Sequence, residues 1–136
     1  MTSRDEAIRL ARGWAAKADE DLLVAEHLLR MRRNCPFGIA AFHCQQSAEK
    51  HIKAVLTWRS VPFPRSHDLP ELLFLVPPDI GLGITAEELS LLNRFSVEVR
   101  FPGEWEPVTR AEARDALELA RRVRAAAMAA LPGLSG

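Results

Sequence analysis

A chain of 136 residues is long enough to bury one real core and too short for two domains of ordinary size, so a single domain over 1–136 is expected. Eighteen Lys and Arg balance eighteen Asp and Glu, which removes long-range attraction for a polyanion. Generic nucleic-acid binding is therefore not expected, and any nucleic acid would have to be gripped locally. No run approaches the roughly 18 apolar residues that cross a bilayer, and the polar opening Met1-Thr2-Ser3-Arg4-Asp5-Glu6 leads into no apolar targeting segment. A soluble cytoplasmic protein with no membrane association is the expectation.

The spacing predicts five helices. Four starts share one pattern: Ser3-x-x-Glu6, Asp68-x-x-Glu71, Thr85-x-x-Glu88 and Thr109-x-x-Glu112 each place an oxygen acceptor at the N-cap and a carboxylate three positions on. The fifth is Asn34-Cys35-Pro36, where proline suits a first turn whose N–H has no helical partner. The first helix is expected from about Ser3 to Arg32, with Ala7, Leu10, Ala11, Trp14, Ala18, Leu22, Ala25 and Leu29 at steps of three and four. The second runs from Pro36 to about Trp58 and turns Ala40, Ala41, Cys44, Ala48, Ile52 and Val55 inward. A short third covers Leu69 to about Leu75, a fourth Ala86 to about Val99, and a fifth Arg110 to about Leu131, before Pro132-Gly133. No segment alternates with period two, so the predicted fold is all-α, an up-and-down bundle of about five helices. Cys35 and Cys44 lie too far apart along helical chain to pair, and both are expected as free, buried thiols.

On a helical wheel, Phe42, His43, Gln46, Glu49, Lys50 and Lys53 fall opposite the second helix's core stripe. Two readings stand side by side. One is a solvated face with Glu49 and Lys53 as an i,i+4 pair. The other is a site where a histidine, an amide and two lysines hold a phosphate beside a stacking aromatic. Asp21 falls within the first helix's apolar stripe, and a carboxylate there requires a cation or several donors, with Lys50, His43, His67 or Arg100 as candidates. It is either a structural ion pair between helices or part of a ligand site. Gln45, His67 and Asp68 are read as structural polar residues, Asp68 capping the third helix and His67 orienting the loop before it. Arg100, at the exit of the fourth helix, either meets helix carbonyls or reaches an anion.

Several enzyme patterns are absent: Gly-x-Ser-x-Gly, a Gly-x-x-x-x-Gly-Lys loop, Cys-x-x-Cys and His-Glu-x-x-His. Asp19-Glu20-Asp21 has a metal-binding Asp-x-Asp spacing, but on a helix residues two apart diverge by about 200°. No metal and no cofactor is expected.

The stretch Phe42-His43-Cys44-Gln45-Gln46-Ser47-Ala48-Glu49-Lys50-His51-Ile52-Lys53-Ala54 closely resembles the second-helix signature of HEPN domains (higher eukaryotes and prokaryotes nucleotide-binding). Trp14 and Asp21-Leu22, then His67-Asp68-Leu69, then Arg100-Phe101-Pro102 fall in that family's order. The resemblance implies a helical bundle, commonly a homodimer, with one of two roles. One branch comprises RNA-cleaving toxins with an Arg, four to six intervening residues and then a His. The other comprises partners of a minimal nucleotidyltransferase, thought to help bind nucleotide or substrate. The positions that would hold such an Arg before His27, His43, His51 or His67 are 20–22, 36–38, 44–46 and 60–62, and none is arginine. After Arg94 the equivalent window holds Arg100 and no histidine, and arginine cannot shuttle a proton near neutral pH. Where many relatives carry Arg-Tyr-Pro, this chain has phenylalanine at 101.

The expectation is thus a non-catalytic HEPN domain, partner of a small nucleotidyltransferase in a toxin–antitoxin-like pair. Its nucleotide site would be lined by His43, Gln46, Lys50, Lys53 and Arg100, with Phe42 or Phe101 as a stacking surface. An RNA-cleaving toxin with an atypical site and a ligand-free dimerisation scaffold are the alternatives.

Overall fold

The computed structural model describes residues 3–96 and 107–132. Among them are α1 (Arg4–Leu29), α2 (Phe37–Trp58), α3 (Leu69–Phe74), α4 (Ala86–Asn93) and α5 (Arg110–Ala130), a 3-10 turn at Arg94–Ser96, and no strand. The protein is all-helical, as its periodicity predicts. No helix among the described residues is long and apolar enough to cross a membrane.

The caps work as their chemistry demands. Glu6 N–H donates to Ser3 Oγ, and Glu71 N–H to Asp68 Oδ1, each over 3.1 Å. Thr85 and Thr109 close full capping boxes, with Glu88 and Glu112 accepting the cap residue's own N–H at 3.0 and 2.9 Å. Three boundaries differ from expectation, the first being the end of α1 at Leu29 where Arg32 was expected. Helix α2 begins one residue later, so Pro36 sits at its N-cap with no side-chain cap, after Asn34 at φ 55°. In the fourth helix α-type bonding ends at Asn93 and tightens into the 3-10 turn, a common way for a helix to finish, where Val99 was expected.

Helices α1 and α2 form an antiparallel hairpin. Arg4 at the start of α1 stacks on the Trp58 ring at 4.4 Å and donates to the Trp58 carbonyl, tying the two ends together. Helix α5 runs back along α1, with Arg121 meeting Glu26 at 2.6 Å and Arg124 meeting Asp19 at 2.8 Å. The contact faces are rich in alanine: Ala7, Ala11, Ala15, Ala18 and Ala25 on α1, Ala40, Ala41 and Ala48 on α2, and Ala113, Ala116, Ala120 and Ala127 on α5 are all buried. Such small side chains let helix axes approach closely. The larger groups Ile52, Leu56, Leu69, Leu72, Leu89 and Leu92 fill the end of the core where α3 and α4 close over α2. The loop between α3 and α4 tucks Leu82 and Ile84 inward, and Gly83 at φ 63° presents its carbonyl to Arg122.

The consequence for function is that α2 is the central helix. More than half of its residues are buried, among them Gln45, Ser47, Glu49, His51 and Lys53.

Candidate functional site

The polar residues of α2 do not share one solvated face. They leave the helix in three directions, and each group meets a different neighbour.

Toward α1 lies Asp21, 9% exposed. Its Oδ2 accepts from Lys50 Nζ at 2.5 Å, and its Oδ1 lies 2.8 Å from His43 Nδ1. A carboxylate only accepts, so His43 Nδ1 is the donor. The expectation that Asp21 is buried against a cation from another helix is met, with two of its four candidate partners. The His43 ring also packs edge-on against Phe42, with centroids 5.5 Å apart.

Toward the turn between α2 and α3, Glu49 is the hub. It accepts from Lys53 Nζ at 3.0 Å, from His67 Nδ1 at 2.9 Å and from Gln45 Nε2 at 3.4 Å. Gln45, fully buried, also donates to the His67 carbonyl at 3.2 Å and accepts from Gln46 Nε2 at 2.8 Å. Lys53 lies 5.4 and 5.8 Å from the centres of the Trp14 and Phe63 rings, which themselves meet edge-to-face. Its ammonium is thus enclosed by a carboxylate and two aromatics. This corrects the expectation for Lys53: it is buried, 6% exposed, and faces no open groove. The wheel failed here because Trp14 and Phe63 arrive from distant parts of the chain. His67 and Asp68 hold the structural places expected of them, the first on Glu49 and the second capping α3.

Toward α5, His51 is fully buried between α1 and α5. Ser47 Oγ lies 3.4 Å from its Nδ1. Its Nε2 lies 3.3 Å from Asp19 Oδ1 but without hydrogen-bond alignment. Burial drives its pKa down to about 4, against the opposing pull of Asp19. Asp19 accepts instead from Arg124 Nε. Asp19 and Asp21 therefore point to different neighbours, as helix geometry requires, and do not form a paired-carboxylate metal site. Nothing in the sequence singled out His51. The available signal was its spacing of three and four from Ala48 and Ser47 on an inward face.

Of the expected ligand residues, His43, Gln46 and Lys50 are half-buried along the α1–α2 seam and lie together, while Arg100 and its neighbours Phe101 and Pro102 lie outside the described residues. Lys50 is balanced by Asp21 and Lys53 by Glu49, so the seam has little charge to spare for a triphosphate. An open depression of about 630 Å³ lies on α5, lined by Arg114, Leu117, Glu118, Arg121, Arg122 and Ala125. Two of its arginines are likewise committed, Arg121 to Glu26 and Arg122 to Glu88.

The sequence pattern of the HEPN domain matches residues 11–130. The chain belongs to the HEPN domain family. No protein of curated function matches it. Among solved structures the HEPN chain is similar to the crystal structure of TT1696 from Thermus thermophilus, at 27% identity and a TM-score of 0.76, covering 89% of this chain and 98% of that one. In this HEPN domain the second-helix stretch that resembles the family signature builds the polar interior that joins α2 to α1 and to the turn over residues 63–67. The Asp21–Lys50 and Glu49–Lys53 pairs also explain why Lys50 and Lys53, three apart on one helix, serve different neighbours.

Proposed function

We propose that this protein is a non-catalytic HEPN domain acting as the binding partner of a minimal nucleotidyltransferase, in a toxin–antitoxin-like pair. The observation that carries the reading is the commitment of the α2 cations to buried carboxylates. Lys50 on Asp21 and Lys53 on Glu49 make α2 a rigid, internally neutral scaffold. Such a scaffold suits presentation of a surface better than turnover. The missing Arg-x(4–6)-His pattern argues the same way, since no histidine has the neighbour that metal-independent RNA cleavage in this family uses. The outer edge of the α1–α2 hairpin supports a protein-binding role: Leu10, Val24, Met31 and Ile39 are exposed along it, beside half-buried Leu28 and Phe42. Homodimerisation through this edge is part of the proposal, and the family resemblance supports it.

Within this reading His43, Gln46 and Lys50, with Arg100, remain the proposed ligand residues, and Phe42 the stacking surface. The same neutralisation of the two α2 lysines fits a second reading equally well, a dimerisation scaffold without ligand. Nucleotide titration and oligomeric mass, measured together on the parent, Lys50→Ala and Arg100→Ala, separate the two. Loss of nucleotide affinity at unchanged mass supports the ligand site. A parent that binds no nucleotide at millimolar concentration removes it and leaves the scaffold. Co-purification with the product of a neighbouring reading frame bearing Gly-Ser and Asp-x-Asp tests the partner. Release of fragments from cellular RNA by the pure protein would overturn the non-catalytic assignment.

A further inference from the structure

Charge is balanced over the whole chain but not along it. From His27 to Ala48 there is no Asp or Glu, while Arg30, Arg32 and Arg33 occupy the turn between α1 and α2. All three are exposed, and none takes part in an ion pair among the described residues. Five arginines elsewhere are committed: Arg59 to Asp79, Arg94 to Glu112, Arg121 to Glu26, Arg122 to Glu88 and Arg124 to Asp19. The neutral total therefore conceals a cationic end.

A fourth arginine joins it from another element. Arg110, at the start of α5, stacks its guanidinium 4.9 Å from the centre of the Phe37 ring in the first turn of α2. Phe37 lies four positions after Arg33, so their Cα atoms are within about 15 Å even along fully extended chain. The first turn of α2 carries no acidic residue to offset this charge. Met31 and Ile39, exposed on either side of the turn, add apolar surface.

We infer that this end of the molecule, Arg30, Arg32, Arg33 and the Arg110–Phe37 stack, binds the phosphodiester backbone of single-stranded nucleic acid. Two features favour that occupant. Every cation is an arginine, whose planar fork meets two phosphate oxygens at once, whereas a merely solvating or lipid-facing cluster has no need of that geometry. The guanidinium stacked on Phe37 offers a flat surface on which a base can continue the stack. The patch is separate from the α1–α2 seam residues His43, Gln46 and Lys50, and the inference does not depend on the nucleotidyltransferase reading.

The test is fluorescence anisotropy with labelled oligouridylate and oligothymidylate of about 20 nucleotides, across a salt series. The parent is expected to bind both, with log K falling against log salt at a slope of about −2, from roughly three phosphates at 0.7 each. Arg30→Gln/Arg32→Gln/Arg33→Gln is expected to lose tenfold or more in affinity and most of that slope. The corresponding triple Lys variant is expected to keep the slope. A control, Arg12→Gln/Arg65→Gln, removes charge from exposed positions away from this end and is expected to bind like the parent. The replaced side chains hold no intramolecular partner, and matching thermal melts show that every variant is folded. Absence of parent binding at about 50 mM salt overturns the inference, as does equal loss in the control. Tighter binding of polyglutamate or of phosphatidylglycerol vesicles than of the oligonucleotides overturns it in favour of an acidic protein or a membrane.

Discussion

Replacing Asp21 by alanine removes the one carboxylate that receives both Lys50 Nζ and His43 Nδ1. Stranding a buried donor costs about 1–3 kcal/mol, and more for a charged one. Two donors would then sum above that range if neither found water. The Lys50 and His43 side chains are 23% and 26% exposed, so each recovers part of its hydration once the carboxylate is gone. The expected net loss is therefore roughly 1–3 kcal/mol, or about 4 °C of Tm per kcal/mol for a chain of this size. Urea denaturation followed by circular dichroism is the assay, with the slope checked for constancy so that the midpoint reports stability alone. Lys50→Met in the Asp21→Ala background supplies the second half of the argument. With the carboxylate absent, removing the ammonium relieves the stranding, so the double variant is expected to be no less stable than Asp21→Ala, with a coupling of about 0.5 kcal/mol or more. An unchanged midpoint in Asp21→Ala would refute the claim that the pair is buried and matters to the fold.

His51 has a folded-state pKa of about 4 against 6.5 when free, so the unfolded chain takes up its proton first. Its contribution is fully present above pH 6.5 and is lost as pH falls toward 4, by up to about 3 kcal/mol, and the pH slope of stability over that window is expected to shrink in His51→Gln. Burial raises the Cys44 thiol to about 12, so in native protein at about pH 8 mass spectrometry should find Cys44 unalkylated until denaturant is added, while half-buried Cys35 labels first. Thr109→Ala removes the side-chain arm of a capping box, the Oγ that accepts from Glu112 N–H, and leaves the backbone arm to the Glu112 carboxylate, and a loss of about 1 kcal/mol in chemical denaturation is expected.

The helix starts were legible because a cap is a local device. Ser3, Asp68, Thr85 and Thr109 each find their partner three residues on, within reach of any sequence reading. The inward stripe of α1 was legible too, down to the misplaced carboxylate at 21, except that Leu10, counted in it, stands exposed at its margin. The environment of α2 was not, because a wheel assigns one inside and one outside, and α2 has neighbours on several sides. Lys53 reads as outward from its own helix, yet Trp14 from α1 and Phe63 from the following turn close over it. His51 reads as an ordinary helix residue because its burial is set by Asp19 and Arg124, far away in sequence at either end of the chain. Ligand residues proposed from a single helix face were therefore partly scaffold, and the cluster of unpaired arginines at the α1–α2 turn emerged only once the arginines committed to carboxylates elsewhere had been set aside.

The enclosure of α2 has a consequence for how the molecule breathes. Helix ends and surface turns open locally at small cost, whereas a segment wrapped by its neighbours exposes its amides only when they leave. Helix α2 touches α1, α3, α4 and α5. Its mid-helix amides, from about Cys44 to Val55, should thus exchange with solvent deuterium only through global unfolding, and their protection should equal the unfolding free energy measured by urea. The histidine rings divide differently on the same clock. His43 and His67, whose side chains are 26% and 58% exposed, meet solvent in the closed state, while the His51 ring meets bulk water only in the rare moments when the whole bundle comes apart.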